Sequence, residues 1–277
     1  MHYLDESLDP ENPDLVDTID EMPLWSAPFG LELLAAVRYR KHITALDIGF
    51  GTGFPLLELA MRLGSGSTLY GIDPWAGAVE RTRKKLRQYG IGNVQLIEGR
   101  AEQIPLGDAT IDLIVSNNGI NNVDNLEQVL SECARVSKQG AQFLATVNLD
   151  TTMAEFYSVM EDVLQRRGRT AEIVNMKAHI RSKRPPLPEL SAALRKAGFK
   201  PPRITHDTFR YTFTSGTAML NHYFIRLAFL GPWKKIVAPD QQADIFSEIE
   251  SHLNLQSEAD GCIHLSVPFV LMETQKE

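Results

Sequence analysis

Cysteine is scarce in this chain: Cys133 and Cys262 are the only two among 277 residues. Neither has a partner at metal-ligand spacing, so no zinc or other metal site is legible, and both read as free thiols in a reducing compartment. No apolar run reaches the roughly 18 residues of a membrane-spanning helix. Met1 to Asp20 is acidic, not a basic start followed by an apolar stretch, so a secretory leader is not expected. Together these absences point to the cytoplasm. Positive charge is also short. The formal net charge is −7, which argues against a nucleic-acid partner whose phosphates need a basic field. The basic stretch Lys177 to Arg184 is the exception, and it reads as a solvated helix face in preference to an anion clamp. Two phosphate signatures are missing as well. There is no G-x-x-x-x-G-K-[ST] loop, and no G-x-G-x-x-G dinucleotide loop.

What is present is a glycine loop of another spacing. The run Ala45-Leu46-Asp47-Ile48 is strand-like and leads into Gly49-Phe50-Gly51-Thr52-Gly53. Phe54 stands where a dinucleotide fold has its third glycine, and its side chain would crowd a pyrophosphate. The amphipathic run Leu56 to Leu63 follows at once. Glycine lets the backbone turn sharply and approach a ligand, while the new helix offers free N–H groups and its positive end. A second strand, Thr68 to Ile72, ends at Asp73, about twenty residues past the loop, where an acid reaches ribose hydroxyls. Asp73 is also a favoured residue for capping the helix that starts near Ala76. Pro74 and Trp75 could lie against an adenine face. A third run, Val94 to Gly99, leads into Arg100-Ala101-Glu102-Gln103-Ile104-Pro105-Leu106. A fourth, Ile111 to Val115, ends in Ser116-Asn117-Asn118-Gly119. A fifth spans Ala141 to Val147. Strands alternating with helices to about residue 149 predict a doubly wound parallel sheet. At 43% hydrophobic the chain can bury a full core for one domain with embellishments.

Taken in order, these segments resemble the class I S-adenosylmethionine (SAM)-dependent methyltransferases, most of all the branch that methylates small molecules such as quinone precursors. The resemblance covers about residues 29–150. It implies SAM as cofactor, with Gly49, Gly51 and Gly53 against its methionine part and Asp47, Phe50 and Thr52 in the same segment. Asp73 would hold the ribose, Pro74 would pack on adenine, and Ala101 would offer backbone hydrogen bonds to the adenine edge. Asn117 and Asn118 would border the amino-acid end and the transferred methyl. Trp25 would cover the methionine end or pack under the first helix. Arg100 departs from the pattern: many members carry an acid there to accept from the adenine amino group, and Arg cannot accept. Glu102, a backbone carbonyl, or packing alone would then hold the adenine.

The resemblance also implies an α/β fold with a seven-stranded sheet whose last strand is antiparallel, set between strands five and six. If Ile204–Thr214 is the sixth and Ile263–Leu271 the seventh, a long insertion separates them. Ligands in such sheets bind outside the carboxyl ends of the strands. The segmentation expected is therefore an N-terminal piece over the cofactor (1–28), a SAM-binding core (29–150), helices and strand six (151–214), a helical cap (215–258) and the last strand (259–277). Residues 1 to about 22 are expected to be loosely packed. Phe209, Tyr211, Phe213, Met219, Tyr223, Phe224, Phe229 and Trp233 would line a pocket for a flat or apolar small molecule, or form the cap's own core.

Methyl transfer requires positioning, exclusion of water and, for a hydroxyl or carbon nucleophile, removal of a proton. Among His179, His206, His222 and His264, His222 leads as base because it lies beside Tyr223 in an aromatic helix. His179 is second, and Tyr223 completes the catalytic set. No metal set is present. A homodimer is left open. The alternatives are a SAM- or S-adenosylhomocysteine-binding protein without catalysis, a protein methyltransferase and, with least support, a nicotinamide-dependent oxidoreductase.

Overall fold

Seven strands form one sheet: β1 (Thr44–Ile48), β2 (Thr68–Asp73), β3 (Val94–Glu98), β4 (Ile111–Asn117), β5 (Ser137–Asn148), β6 (Arg203–Phe213) and β7 (Ile263–Gln275). The computed structural model describes residues 4, 9, 11–19 and 25–277. The strand order is β3-β2-β1-β4-β5-β7-β6. β1 runs parallel to β2 and β4, and β5 parallel to β4, whereas β7 is antiparallel to β5. Arg203 pairs with Glu273, and Thr212 lies 3.0 Å from His264, so β6 runs antiparallel to β7 and parallel to the rest. The seventh strand thus occupies the interior position expected for it.

The helices are α1 (Pro13–Ile19), α2 (Ser26–Ala36), α3 (Leu56–Leu63), α4 (Ala76–Tyr89), α5 (Leu126–Val136), α6 (Ala154–Arg166), α7 (Thr170–Lys183), α8 (Leu187–Lys196), α9 (Gly216–Asn221) and α10 (Gln242–Asp260). The chain divides into two compact units. One, the sheet unit, holds residues 11–148, 185–207 and 269–277; the other, the helical unit, holds residues 149–184 and 208–268.

In the sheet unit the central strands are apolar on both faces because helices cover both sides. Leu46, Ile48, Ile114 and Val115 are buried accordingly. α3 inserts Leu56, Leu59 and Ala60 into this core. α5 is capped by Asn125, whose side chain accepts from the Gln128 N–H at 3.1 Å. Within the acidic N-terminal segment, residues 13–19 form a docked helix. α1 buries Leu15 and Val16, and Asp17 pairs with Lys84 of α4 at 3.2 Å. Two adjacent apolar residues and a matched basic helix face are enough to dock it. Most of the rest of the 1–28 segment lies outside the described residues.

In the helical unit α6 presents Phe156, Val159, Met160, Val163 and Leu164, all buried, as its spacing predicts. α10 packs alongside, with Arg167 bonded to Glu248 at 2.7 Å. The aromatic helix expected around His222 and Tyr223 is interrupted. The Asn221 side chain donates to the Thr217 carbonyl, competing with the helix's own ladder. α9 stops there, and His222 is extended (φ −62°, ψ 129°). A helical turn, Tyr223–Ile225, then opens into a π-turn, Arg226–Leu230, before Gly231–Lys234. Pro232 lacks the N–H that a regular ladder would need in this stretch. Trp233 is fully buried, stacked on Phe156 at 3.7 Å, and its indole N–H donates to the Tyr157 hydroxyl at 3.0 Å. Trp233 and Met219 are therefore core residues of this unit and not pocket lining.

Candidate cofactor site

The glycine loop is held from three sides. The Gly51 N–H donates to Asp73 Oδ2 at 2.8 Å, Thr82 Oγ1 donates to the Gly51 carbonyl at 3.0 Å, and Lys85 Nζ donates to the Thr52 carbonyl at 2.8 Å. Gly49, Gly51 and Gly53 all have positive φ, which is why the turn is built from glycine. Asp73 Oδ1 accepts from the Trp75 N–H at 2.9 Å. Asp73 therefore fixes both the loop and the turn into α4, while Trp75 itself occupies the cap position.

A cavity of about 260 Å³ opens at the carboxyl ends of β1, β2 and β4. Gly49, Asp73 and Pro74 line it on one side; Arg100, Ala101 and Glu102 on another; Asn117 and Asn118 on a third. Gly119, Asn122, Val123 and Asp124 also line it and were not singled out from the sequence. The available signal was their position directly after Asn117 and Asn118 at the end of a parallel strand. Gly119 in particular has no room for a side chain, since a Cβ there would lie 2.3 Å from the Ile48 carbonyl oxygen.

Trp25, Asp47, Phe50, Gly51, Thr52 and Gly53 are not among the lining residues. Trp25 stacks obliquely against Phe29 at 5.4 Å. Phe50 is buried with its ring against Gly71, which leaves only its backbone for a ligand. Asn117 is committed to structure: its side chain accepts from Thr146 Oγ1 at 2.9 Å and donates to the Ser26 carbonyl at 3.1 Å. Asn118 adopts φ 57°, and its N–H is shared between the carbonyl and the hydroxyl of Thr146.

Arg100 forms an ion pair with Asp124, and Glu102 Oε1 accepts from the N–H groups of Asp124 and Asn125 at 2.9 and 3.0 Å. An acid does stand at this edge of the cavity. It comes from the turn after β4, with the cation of Arg100 opposite it.

The charge balance of the site is negative. Asp47 is 1% exposed, and neither of its oxygens has a hydrogen-bond partner of good geometry. Burial, and then the neighbouring Asp73, push its pKa well above the ordinary carboxylate value, with the Leu56 N–H opposing weakly. Burial raises Asp73 too, against its two backbone hydrogen bonds. Two buried acids repel a pyrophosphate and suit a ligand bearing positive charge. SAM carries two such centres, its sulfonium and its α-ammonium, so the donor set fits it. Asp47→Asn is accordingly expected to raise the melting temperature of the ligand-free protein, by about 2–4 °C for each kcal/mol of relieved charge burial. Because the folded pKa is raised, wild-type stability should fall as pH rises through it, and the variant should lose that slope. Calorimetry across pH checks both.

The catalytic candidates lie in the helical unit. His222 packs its ring near Phe213 and Tyr211, at 5.3 and 6.2 Å, and its Nδ1 is buried with no partner among the described residues. Burial lowers its pKa below 6.5. Tyr223 follows at the helix restart, half-buried. His179 is on α7, its pKa lowered by burial and by the cations of Arg184 and Lys183. Among the described residues no group of His, Cys, Asp and Glu could hold a metal, and no helix is long and apolar enough to cross a membrane.

Residues 46–145 match the family model described as a methyltransferase domain. The demethylmenaquinone methyltransferase of Geobacillus kaustophilus is 31% identical over 126 residues, 46% of this chain and 53% of that protein. The chain thus spans about half the length of that relative. The demethylmenaquinone methyltransferase of Anoxybacillus flavithermus is 25% identical over 199 residues, 69% of this chain and 82% of the relative. Among solved structures, the YcgJ protein of Bacillus subtilis superposes with a TM-score of 0.56 at 18% identity, covering 91% of this chain and 98% of that one.

Proposed function

We propose that the chain carries a class I SAM-dependent methyltransferase domain and transfers a methyl group from SAM to a small aromatic or apolar acceptor bound by the helical unit. The observation that carries the reading is the cavity at the strand ends, where Asp73 faces the space and the uncompensated Asp47 lies behind it. Bound there, SAM supplies a methyl already activated by the sulfonium charge; transfer breaks the sulfur–methyl bond and leaves S-adenosylhomocysteine. Asp73 orients the ribose through its carboxylate, whose lone pairs beyond the two backbone hydrogen bonds remain for hydroxyls. The glycine loop brings bare backbone against the methionine part, Pro74 and Ala101 flank the adenine, and Asp124 or Glu102 accepts from its amino group.

The segments of the helical unit follow β5 and begin within β6 in the chain. The aromatic residues Phe209, Tyr211, Phe213 and Tyr223 would contact the acceptor. Those relatives' names suggest a quinol-like ring as the first acceptor to try. The acidic net charge and the free cysteines support a cytoplasmic enzyme that does not act on nucleic acid, and a homodimer is part of the same proposal. Incubation with methyl-labelled SAM and demethylmenaquinone or simple catechols tests it. Labelled product supports the reading; tight S-adenosylhomocysteine binding without transfer to any small molecule would favour a binding protein, or a methyltransferase acting on protein.

His222 would take the acceptor's proton, with His179 and Tyr223 as the other candidates. Its pKa lies below 6.5, so it is a neutral, proton-accepting imidazole at neutral pH. The rate should be flat above neutrality and fall on acidification through that lowered value. His222→Asn should cut kcat about a hundredfold, the lower range for general-base catalysis, and remove the acid limb. A pH–rate profile that keeps its acid limb in the variant rejects the assignment.

A further inference from the structure

Arg184 breaks the pattern of the basic stretch it closes. Lys177, Arg181 and Lys183 are exposed, as a solvated helix face should be, but Arg184 is only 5% exposed. The local cause is the proline that follows: residue 184 ends α7 with φ −140° and ψ 81°, off the helical conformation that a residue before proline disfavours. Its guanidinium lies over the Tyr157 ring, 6.0 Å from the centroid, and that ring is fixed by its bond to Trp233. The Nε and Nη1 atoms are buried and make no hydrogen bond, and no carboxylate pairs with the group among the described residues. A guanidinium is always charged, and a buried charge demands a partner. A stacked aromatic face supports the cation and leaves the planar N–H edge open for two parallel bonds to an oxyanion. The charged groups that bear on nearby His179 are Arg184 itself and Lys183, with no acid among them.

We propose that Arg184, stacked on Tyr157, is an anion subsite of the acceptor pocket, so that the methyl acceptor is an organic acid or a phosphorylated molecule. This rests on the reading that the helical unit carries the acceptor, and it narrows that reading to acidic substrates. The chemistry required is a planar or tetrahedral oxyanion that accepts from Nη2 together with Nε or Nη1, the two pairs that share an edge of the guanidinium.

The test uses the full chain, with melting temperature followed against benzoate, benzyl alcohol, inorganic phosphate and pyrophosphate at constant ionic strength. One anion class should raise the melting temperature saturably, which also tells carboxylate from phosphate, while benzyl alcohol should not. The apparent affinity should fall at least tenfold in Arg184→Met and be partly kept in Arg184→Lys. Without ligand, Arg184→Met should melt no lower than the wild type, because it removes an uncompensated charge. S-adenosylhomocysteine should bind all three proteins alike. No saturable anion, equal affinity in Arg184→Met, equal binding of benzyl alcohol, or a variant that melts well below the wild type each overturns the proposal. If Arg184→Met does not fold, Arg184 is structural and the proposal fails. Failure of the wild type to bind S-adenosylhomocysteine would instead strike the methyltransferase reading, independently of the anion result.

Discussion

Replacing Asp73 by alanine is expected to weaken S-adenosylhomocysteine binding by at least about a hundredfold. Hydrogen bonds to a charged group contribute roughly 1.5–3 kcal/mol each, and two ribose hydroxyls would lose theirs together. The loss is compounded because the same carboxylate holds the Gly51 N–H and the Trp75 N–H. Asp73→Asn should fare little better: one carboxylate oxygen becomes an NH₂ that faces either the Gly51 or the Trp75 N–H, donor against donor. Binding should also be acid-sensitive. Burial raises the folded pKa of Asp73 above the ordinary 3.8, so affinity should begin to fall at a higher pH than for an exposed aspartate. Isothermal titration of the wild type and both variants checks this, and wild-type affinity in Asp73→Ala would remove Asp73 from the ribose.

Gly119→Ala should be the most damaging substitution outside the glycine loop. The new methyl would sit 2.3 Å from the Ile48 carbonyl oxygen, 2.8 Å from Ser116 Oγ and 3.2 Å from the Gly49 Cα. Ser116 cannot step aside, because its hydroxyl donates to that same carbonyl at 2.9 Å and accepts from the Ile120 N–H at 3.1 Å. Relief must come from parting β1 and β4 where they end together. Overpacking of this kind costs about 3 kcal/mol. That corresponds to roughly 6–12 °C in melting temperature for a domain of this size, with cofactor binding lost as the loop shifts. Gly51→Ala is the control. Its φ is 52° but nothing lies within 4 Å of the new Cβ, so only the left-handed backbone penalty of about 1 kcal/mol applies. Equal melting temperatures for the two variants would show that the close approach of Gly49 and Gly119 is not what limits this position.

The sheet was readable because each of its first four strands is a short apolar run bounded by a residue suited to a turn or a cap: Gly49, Asp73, Gly99, Asn117. The Asp124 edge was not readable, since an acid in the turn after one strand gives no sign that it will meet Arg100 from the turn after another. Phe50 and Trp233 are both buried, for reasons that differ. Phe50, within the glycine loop, turns out to be core, and Trp233, within the aromatic stretch, is held by a bond to Tyr157 that no periodicity announces. The break at His222 depends on one side chain, Asn221, competing for a backbone carbonyl, an effect below the resolution of a helical pattern. Arg184 shows the same limit: four basic residues in eight look alike in sequence, and only burial separates the last from the others.

The interior position of β7 has a consequence for how the protein comes into being. Gln142 of β5 bonds to Glu273 of β7 across 131 positions of sequence. The strand that must slot between β5 and β6 follows both in sequence, so the growing chain carries β5 with an unpaired flank while the 114 residues between Asn148 and Ile263 are made. Loops this long make nucleation slow and leave a template for wrong pairing while it waits. Yield of active protein should therefore depend on chaperone supply during translation more than the finished fold's stability would suggest.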